Sequence, residues 1–287
     1  MIDPEWLPRF VAVDVDGTIV STSGSVSTRV RDALVSAAVG GAVVVLATGR
    51  SVAELSPVTA QLRLRDGFAV CSNGAVTVEL PGGQELDRVT FDPRLLVAQI
   101  LTLAPRARIA VEQVRGGYGV TAPFPAGELL ARQQVCALED MLVEPVTRIV
   151  VRDPGMPPSD FRRMAVTLGL AEVCYCVGSR VWLDLVAPGV DKAWALIGLA
   201  ARLGIAREDC LALGDGRNDL SMITWAGRGV AMGQATKDVR EAADAVTGPV
   251  TVDGVATELE RWFNRRSTAA GTSVDTTAIL SPPSMSD

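Results

Sequence analysis

Short apolar runs alternate with amphipathic segments in the first eighty residues. The runs Phe10–Val15, Ala42–Ala47 and Phe68–Cys71 are rich in small and β-branched residues and have the length of buried strands. Between the first two runs, Ser27–Val39 carries apolar residues at helical spacing, and a second helical segment follows Arg50. Because strands and helices alternate along the chain, the pattern predicts an α/β fold with a doubly wound parallel sheet.

The pattern changes between about residues 82 and 187 and then returns. In this middle segment the strands are shorter and mixed with helices, whereas Lys192–Leu203 and Cys210–Leu213 again have the pattern of a helix and a buried strand. Proline and glycine mark both transitions, at Pro81-Gly82-Gly83 and Pro188-Gly189, as expected for two connections around an inserted domain. We therefore predict a Rossmann-like core of residues 1–81 and 188–265, an inserted α+β cap domain over residues 82–187, and a disordered tail over residues 266–287.

Polar residues cluster where the predicted strands end. Asp14-Val15-Asp16-Gly17-Thr18 ends the first strand, Thr48-Gly49-Arg50 the second, and Gly214-Asp215-Gly216-Arg217-Asn218-Asp219 a late one. The carboxyl ends of parallel strands converge on one crevice, where ligands bind. Four carboxylates are therefore expected together: Asp14, Asp16, Asp215 and Asp219. An isolated Asp-Gly pair is usually a turn, but the recurrence at separate strand ends favours a site, and Mg²⁺ is the cation that such carboxylates would hold.

The residue composition removes several kinds of chemistry. The chain of 287 residues has no histidine, which excludes Ser–His and Cys–His nucleophilic sites and most zinc and haem sites. Among its 27 basic residues only Lys192 and Lys237 are lysines. Where arginine supplies nearly every surface cation, a lysine beside the carboxylate motifs indicates a site that needs a compact positive charge.

Charge and hydropathy exclude further classes of protein. The net charge of −6 argues against nucleic-acid binding. The longest uncharged apolar stretch, about Ser36–Gly49, falls short of the roughly 20 residues of a membrane-spanning helix, and the first residues lack the basic start of a signal peptide. Five widely spread cysteines indicate reduced thiols. We expect a cytoplasmic protein, monomeric or weakly dimeric, with no nucleic-acid or membrane partner.

The motifs together resemble a known family. DVDGT, the TGR loop, Lys192 at a helix start and GDGRND resemble the four motifs of the haloacid dehalogenase-like (HAD) phosphohydrolases. Cys71–Ala75 and Gly229–Gly233 resemble segments of the Cof-type subfamily of these enzymes. The resemblance covers about residues 9–80 and 187–263, whereas the segment between them matches only in length and α/β character.

The resemblance implies a catalytic role for four residues. Asp14 would be the nucleophile that forms an aspartyl-phosphate, and Asp16 the general acid and base. Thr48 and Lys192 would stabilise the transferring phosphoryl group.

The resemblance also implies ligands for phosphate and metal. The phosphate-binding residues would be Thr48, Gly49, Lys192 and Asn218. The Mg²⁺ ligands would be the side chains of Asp14 and Asp215 and the backbone carbonyl of Asp16. Asp219 would orient the metal-bound waters and Lys192.

Two further residues have more than one interpretation. Trp182 stands beside Leu183 and Leu185, and we interpret it as part of the cap's hydrophobic core rather than as a substrate-stacking residue. Gln234 stands where the Cof-type pattern usually has asparagine, which leaves the interaction of that side chain open.

The implied function is a Mg²⁺-dependent phosphatase acting on a small phosphorylated metabolite, such as a sugar phosphate, a nucleotide or a cofactor phosphate. The cap would close over the substrate and determine its specificity. Two alternatives stay open: a phosphosugar mutase of the same superfamily, which returns the phosphoryl group to sugar, and a non-catalytic sensor of phosphate esters.

Overall fold

The structure is a computed structural model that describes residues 6–114, 116–170, 174–177 and 180–263. The predicted tail, residues 266–287, lies outside the described residues. In the part of the chain that is described, no helix combines the length and the apolar character that a membrane span requires.

Strands and helices alternate along most of the described chain. The strands are β1 (Phe10–Val13), β2 (Val43–Ala47), β3 (Gly67–Cys71), β4 (Val76–Leu80), β5 (Glu85–Arg88), β6 (Arg108–Glu112), β7 (Tyr118–Val120), β8 (Gln133–Val135), β9 (Ile149–Arg152), β10 (Cys174–Val177), β11 (Arg180–Leu185), β12 (Cys210–Gly214), β13 (Arg228–Ala231) and β14 (Ala245–Val246). The helices are α1 (Thr28–Val39), α2 (Val52–Leu62), α3 (Arg94–Leu103), α4 (Leu138–Met141), α5 (Pro158–Thr167), α6 (Lys192–Arg202), α7 (Leu220–Trp225), α8 (Lys237–Ala242) and α9 (Gly254–Phe263).

A first sheet has the strand order β14-β13-β12-β1-β2-β3-β4-β5. The strands from β14 to β3 are parallel, and β4 and β5 add an antiparallel hairpin at one edge. Strand β1 lies between β2 and β12, so the carboxyl ends of these three strands are neighbours. The prediction of a parallel α/β sheet is confirmed, and its topology brings the three polar motifs together.

Alternating residues of β1 pack on opposite faces of this sheet. Val11 and Val13 belong to the hydrophobic cluster formed with α1, α2 and α9, whereas Phe10 and Ala12 belong to the cluster formed with α6 and α7. Since a strand points successive side chains to opposite sides, a continuous apolar run is what a strand covered on both faces requires.

A second sheet lies between β5 and α6 in the chain and has the order β10-β11-β9-β6-β7-β8. Its pairs are antiparallel except for β7 and β8. Ile100 of α3 and Phe161 of α5 pack with Ile149 on one face, and Tyr118 and Val150 belong to a smaller cluster on the other. One face of the sheet is thus closed by helices, and the other is turned toward the first sheet.

The chain leaves the first sheet later than the sequence pattern predicts. The Pro81-Gly82-Gly83 segment is the turn between β4 and β5, and the chain passes to the second sheet only after Arg88. The backbone pairing of Val76 with Arg88 holds β5 in the first sheet, although β5 itself has little apolar character.

Cysteines in the described part of the chain are free thiols. Cys71 and Cys210 are buried and Cys136 is half-buried, as the prediction of reduced thiols requires. The side chains of Cys174 and Cys176 lie outside the described residues.

Candidate active site

A buried lysine joins two of the motifs. Lys192 is the first residue of α6, whose start is fixed by the side chain of Asp191 accepting a hydrogen bond from the backbone N–H of Trp194 at 2.7 Å. The Nζ atom of Lys192 donates to Oδ1 of Asp14 and to Oδ1 of Asp219, each at 2.6 Å. Burial by itself would lower the pKa of Lys192, but the two carboxylates raise it above its ordinary value, so the ammonium stays charged.

Three carboxylates beside this lysine suit a divalent cation. One oxygen each from Asp14, Asp215 and Asp219 lies within 4.8 Å of the others. Burial, followed by the charge of Asp219, raises the pKa of Asp14 and brings that of Asp215 to about 6. When all three are ionised, as they would be around a cation, three carboxylates against one ammonium leave two negative charges, which is the charge that a bound Mg²⁺ would neutralise.

Asp219 differs from the other two carboxylates in its hydrogen bonds. Its Oδ1 accepts from Lys192, and its Oδ2 accepts the backbone N–H groups of Asp215 and Gly216 at 2.9 and 2.8 Å. Both oxygens of Asp219 are therefore engaged by Lys192 and by the backbone of the loop after β12.

Gln234 holds the loop that follows β1 against Asp215. Its Nε2 donates to the carbonyl of Gly17 at 2.6 Å and to Oδ2 of Asp215 at 3.1 Å, while its Oε1 accepts from the backbone of Val250 at 3.1 Å. Gly17 has a φ of +85°, and a Cβ atom there would overlap the Asp215 carboxylate. The interaction left open by the sequence is therefore a contact with a predicted metal ligand.

The predicted acid and base, Asp16, is held by an arginine fork. Arg50 donates from Nε and Nη2 to the two oxygens of Asp16 at 2.8 and 2.6 Å. Its third nitrogen donates to the backbone carbonyl of Glu54 at 3.2 Å. The sequence pattern assigns no role to Arg50 beyond the TGR loop, because the pairing depends on how far Asp16 folds out of β1.

The residues predicted to bind phosphate lie next to these groups. Thr48 is buried, and its hydroxyl accepts the backbone N–H of Arg50 at 3.0 Å. Asn218 donates to the side-chain oxygen of Asn73 at 3.0 Å, which links the turn after β12 to the turn after β3.

Most of the predicted site residues line one cavity of about 950 Å³ between the two sheets. Those that line it are Asp14, Asp16, Thr48, Gly49, Asp215 and Asn218. Lys192 and Asp219 are fully buried and contact the site from behind Asp14 and Asp215.

The opposite wall of the cavity comes from the second sheet. It includes the apolar side chains of Phe124, Leu129 and Val150, and the guanidinium of Arg148, which is forked on Asp184 at 2.6 and 2.7 Å. Trp182 also lines the cavity while packing partly against the cluster of Tyr118 and Phe124. The interpretation of Trp182 as a core residue alone was incomplete, since β11 turns it to the side opposite Leu183.

Glu54 is a second residue to which the sequence pattern assigns no role. It lies in the first turn of α2, lines the cavity, and is 7% exposed. Ser51-x-x-Glu54 is a capping-box spacing, so the contact of Glu54 with its own helix could be predicted, but its contacts with the second sheet could not.

Comparisons with known proteins agree with this geometry. A family model described as haloacid dehalogenase-like hydrolase matches residues 11–120 and 172–259. The uracil phosphatase YcsE of Bacillus subtilis, in full 5-amino-6-(5-phospho-D-ribitylamino)uracil phosphatase, is 42% identical over 80 residues, which cover 28% of this chain and 32% of that protein. The phosphoglycolate phosphatase of Methanothermobacter thermautotrophicus is 30% identical over 255 residues, which cover 89% of this chain and 99% of the relative.

The fold is also found in solved structures. The crystal structure of a haloacid dehalogenase-like hydrolase from Bacteroides thetaiotaomicron superposes with a TM-score of 0.73 at 26% identity, covering 88% of this chain and 99% of that one. The family model covers most of the two chain segments that form the first sheet, and the four motifs lie together at the edge of that sheet. The chain therefore belongs to the haloacid dehalogenase-like hydrolase family.

Proposed function

We propose that the protein is a Mg²⁺-dependent phosphatase that hydrolyses a small phosphorylated metabolite through an aspartyl-phosphate on Asp14. The observation that supports this most is the buried ammonium of Lys192 on Asp14, next to a carboxylate set whose remaining charge matches a divalent cation. The relatives named as phosphatases belong to the same family, which favours this reaction over other hydrolyses.

In the first step, a carboxylate oxygen of Asp14 attacks phosphorus and the bond to the leaving oxygen breaks. The anionic nucleophile and the anionic phosphoryl group repel each other, and Lys192 reduces that repulsion. Thr48 and Asn218, which both line the cavity, would donate to phosphoryl oxygens.

Proton transfer falls to Asp16. As a carboxylic acid it gives its proton to the leaving alkoxide, and as a carboxylate it then takes a proton from the water that attacks the aspartyl-phosphate. That second attack releases inorganic phosphate and restores Asp14. Arg50 fixes the position of the Asp16 carboxylate through its two hydrogen bonds.

Mg²⁺ would be held by the side chains of Asp14 and Asp215 and the backbone carbonyl of Asp16. When bound, it supplies neutralisation of negative charge on the phosphoryl oxygens.

The cavity supports a leaving group larger than the phosphate itself. Its volume of about 950 Å³ and its apolar wall of Phe124, Leu129, Val150 and Trp182 suit a ligand with an apolar or planar face. The relatives are named for unlike substrates, a ribitylamino-uracil phosphate and phosphoglycolate, so the proposal extends only to the class of small phosphorylated metabolites.

The test is release of inorganic phosphate from a panel of phosphorylated metabolites, with Mg²⁺ or with EDTA. We expect Mg²⁺-dependent release by the wild type and none by Asp14→Asn. Asp32→Asn is the control, because the Asp32 side chain is 62% exposed and pairs with its neighbour Arg31. Equal activity of wild type and Asp14→Asn would contradict the mechanism. Exchange of sugar-phosphate isomers without phosphate release would indicate the mutase, and binding without turnover would indicate the sensor.

A further inference from the structure

The buried carboxylate of Glu54 accepts hydrogen bonds from its own helix cap and from the chain segment that forms the second sheet. The Oε2 atom of Glu54 accepts from the backbone N–H and the hydroxyl of Ser51 at 2.9 and 3.0 Å, and from the hydroxyl of Tyr118 at 2.8 Å. Its Oε1 accepts the backbone N–H groups of Leu130 and Ala131 at 2.9 and 3.3 Å. Three of these donors come from the segment that carries the second sheet, which is more than a helix cap requires.

A positive charge from the second sheet's segment, that of Arg148, lies close to the carboxylate of Glu54. The Nη1 atom of Arg148 lies 3.7 Å from Oε2 of Glu54 and donates to the hydroxyl of Tyr118 at 2.7 Å. Burial opposes ionisation of Glu54, but Arg148 and the N–H donors lower its pKa below the ordinary value. An ionised carboxylate of this kind makes strong hydrogen bonds to the backbone donors of the second sheet's segment.

The backbone of the same residue reaches the catalytic loop. The backbone carbonyl of Glu54 accepts a hydrogen bond from Nη1 of Arg50, whose other two side-chain nitrogens donate to Asp16. The capping box between Ser51 and Glu54 fixes the first turn of α2, and Arg50 directly precedes it. A continuous path of hydrogen bonds therefore runs from Leu130 through Glu54 and Arg50 to Asp16.

We propose that Glu54 is a positioning residue that couples docking of the second sheet over the cavity to the placement of Asp16. Docking adds the donors of Tyr118, Leu130 and Ala131 to the carboxylate that also orders the turn holding Arg50. The catalytic half of this inference rests on the proposed phosphatase function, whereas the docking half does not.

The variant Glu54→Gln tests both the docking role and the effect on Asp16. It keeps the size of the side chain but removes its charge, and it replaces an accepting oxygen by an NH₂ group that cannot accept the hydrogen bonds of the surrounding donors. Glu258→Gln is the matched control: Glu258 is also a buried carboxylate, it pairs with Arg228 at 2.7 Å, and it does not line the cavity. Tyr118→Phe is a second variant that removes one docking donor and leaves the helix cap intact.

Amide hydrogen exchange measures docking without any substrate. We expect exchange at Leu130 and Ala131 to be faster in Glu54→Gln than in wild type by about tenfold or more, to increase less in Tyr118→Phe, and to stay unchanged in Glu258→Gln. Unchanged exchange in folded Glu54→Gln would overturn the docking role.

Hydrolysis of p-nitrophenyl phosphate measures the coupling, because this small ester needs few contacts with the second sheet. We expect kcat to fall about tenfold in Glu54→Gln, with a smaller change in KM, and to stay within about twofold in Glu258→Gln. Faster exchange in Glu54→Gln with kcat unchanged would overturn the coupling, because a residue that only docks or caps does not affect the chemical step.

The two proposals fail in different ways. A wild type that releases phosphate from no ester contradicts the proposed function, while amide exchange still decides whether Glu54 docks the second sheet. If Glu54→Gln does not fold, Tyr118→Phe carries both measurements, and wild-type values of exchange and kcat in that variant would overturn the inference.

Discussion

At the scale of single residues, the site depends on charges that are buried and paired. The ammonium of Lys192 is fully buried between Asp14 and Asp219, and removing one partner of such a group leaves the others uncompensated. Its effect on the proposed reaction would be electrostatic, because its Nζ atom contacts Asp14, the proposed nucleophile.

The variant Lys192→Met keeps most of the volume of the side chain and removes the charge. We expect kcat for phosphate release to fall about 100-fold or more, because the carboxylate of Asp14 must then approach the phosphoryl group without a neighbouring cation. Lys237→Met is the control, since the other lysine of the chain is 81% exposed and should change kcat less than about twofold. Similar rates for the two variants would show that the charge of Lys192 is not used.

Two buried glutamates predict opposite pH dependences of stability. Burial opposes ionisation of Glu54, but Arg148 and the N–H donors hold its pKa below the ordinary value. The stability it contributes is therefore present above the ordinary glutamate pKa of about 4.3 and lost as the pH falls. Burial raises the pKa of Glu112, so its charge opposes folding at neutral pH and that penalty disappears on acidification.

Denaturant unfolding between about pH 7 and pH 4 measures this difference. The free energy of unfolding of the wild type relative to Glu54→Gln should decrease as the pH falls. Relative to Glu112→Gln it should increase over the same range. If the difference from wild type changed with pH in the same direction for both variants, the lowered pKa of Glu54 or the raised pKa of Glu112 would be contradicted.

At the scale of elements, the sequence predicts those strands and helices that have a local pattern of apolar residues at strand or helix spacing. The apolar runs at β1, β2 and β12 and the polar residues after them are local features, and parallel pairing then brings the motifs together. Strand β5 and helix α9 are not among the predicted elements. Glu85–Arg88 is a strand only because β4 pairs with it, whereas the helical spacing of Val255, Leu259 and Phe263 is present in the sequence and could have predicted α9.

The alternation of side chains along a strand explains why Trp182 faces the cavity. Leu183 and Leu185 belong to the cluster under α3 and α5, so the residues between and before them, Asp184 and Trp182, face the cavity. The alternation alone could have separated Trp182 from its apolar neighbours. The pairing of Asp184 with Arg148, in contrast, joins residues 36 positions apart and depends on strand register.

Helix α9 stabilises the first sheet by packing against α1. Leu259 is fully buried in the cluster that contains Leu34 of α1. We expect Leu259→Ala to lower the free energy of unfolding by about 2–5 kcal/mol, because a cavity remains where the side chain packed. Val252→Ala, at a position 58% exposed, should change it by less than about 0.5 kcal/mol. Chemical denaturation of both variants checks this, and equal losses would mean that α9 does not support the core.

At the scale of the whole molecule, the cavity lies between two sheets whose residues contribute different things. The first sheet brings the carboxylates and Lys192, and the second brings the apolar wall and Arg148. That the carboxylates lie together could be predicted from the sequence because they follow strand ends, and Lys192 could be singled out because it is one of two lysines in the chain. The other wall could not, because Glu54 meets Leu130 and Tyr118 only after both sheets have folded.

Metal binding should be visible in the stability of the whole protein. Mg²⁺ at about 100 times its Kd would add about 2.7 kcal/mol to the free energy of unfolding, so we expect Mg²⁺ to raise Tm and EDTA to reverse the increase. Asp215→Asn should lose this response, because it removes a predicted ligand, whereas Asp32→Asn should keep it. Thermal unfolding with and without Mg²⁺ measures the effect, and a response that survives in Asp215→Asn would place the cation elsewhere.

The central position of β1 has a consequence for biosynthesis. One of its neighbours, β2, is made soon after it, but the other, β12, ends only at Gly214. Until that point the nascent chain carries Asp14, the proposed nucleophile, directly after a strand with one edge unpaired, and it lacks Asp215 and Asp219. The proposed site is therefore incomplete until β12 has been made, and in that interval the exposed edge of β1 is open to pairing with another chain.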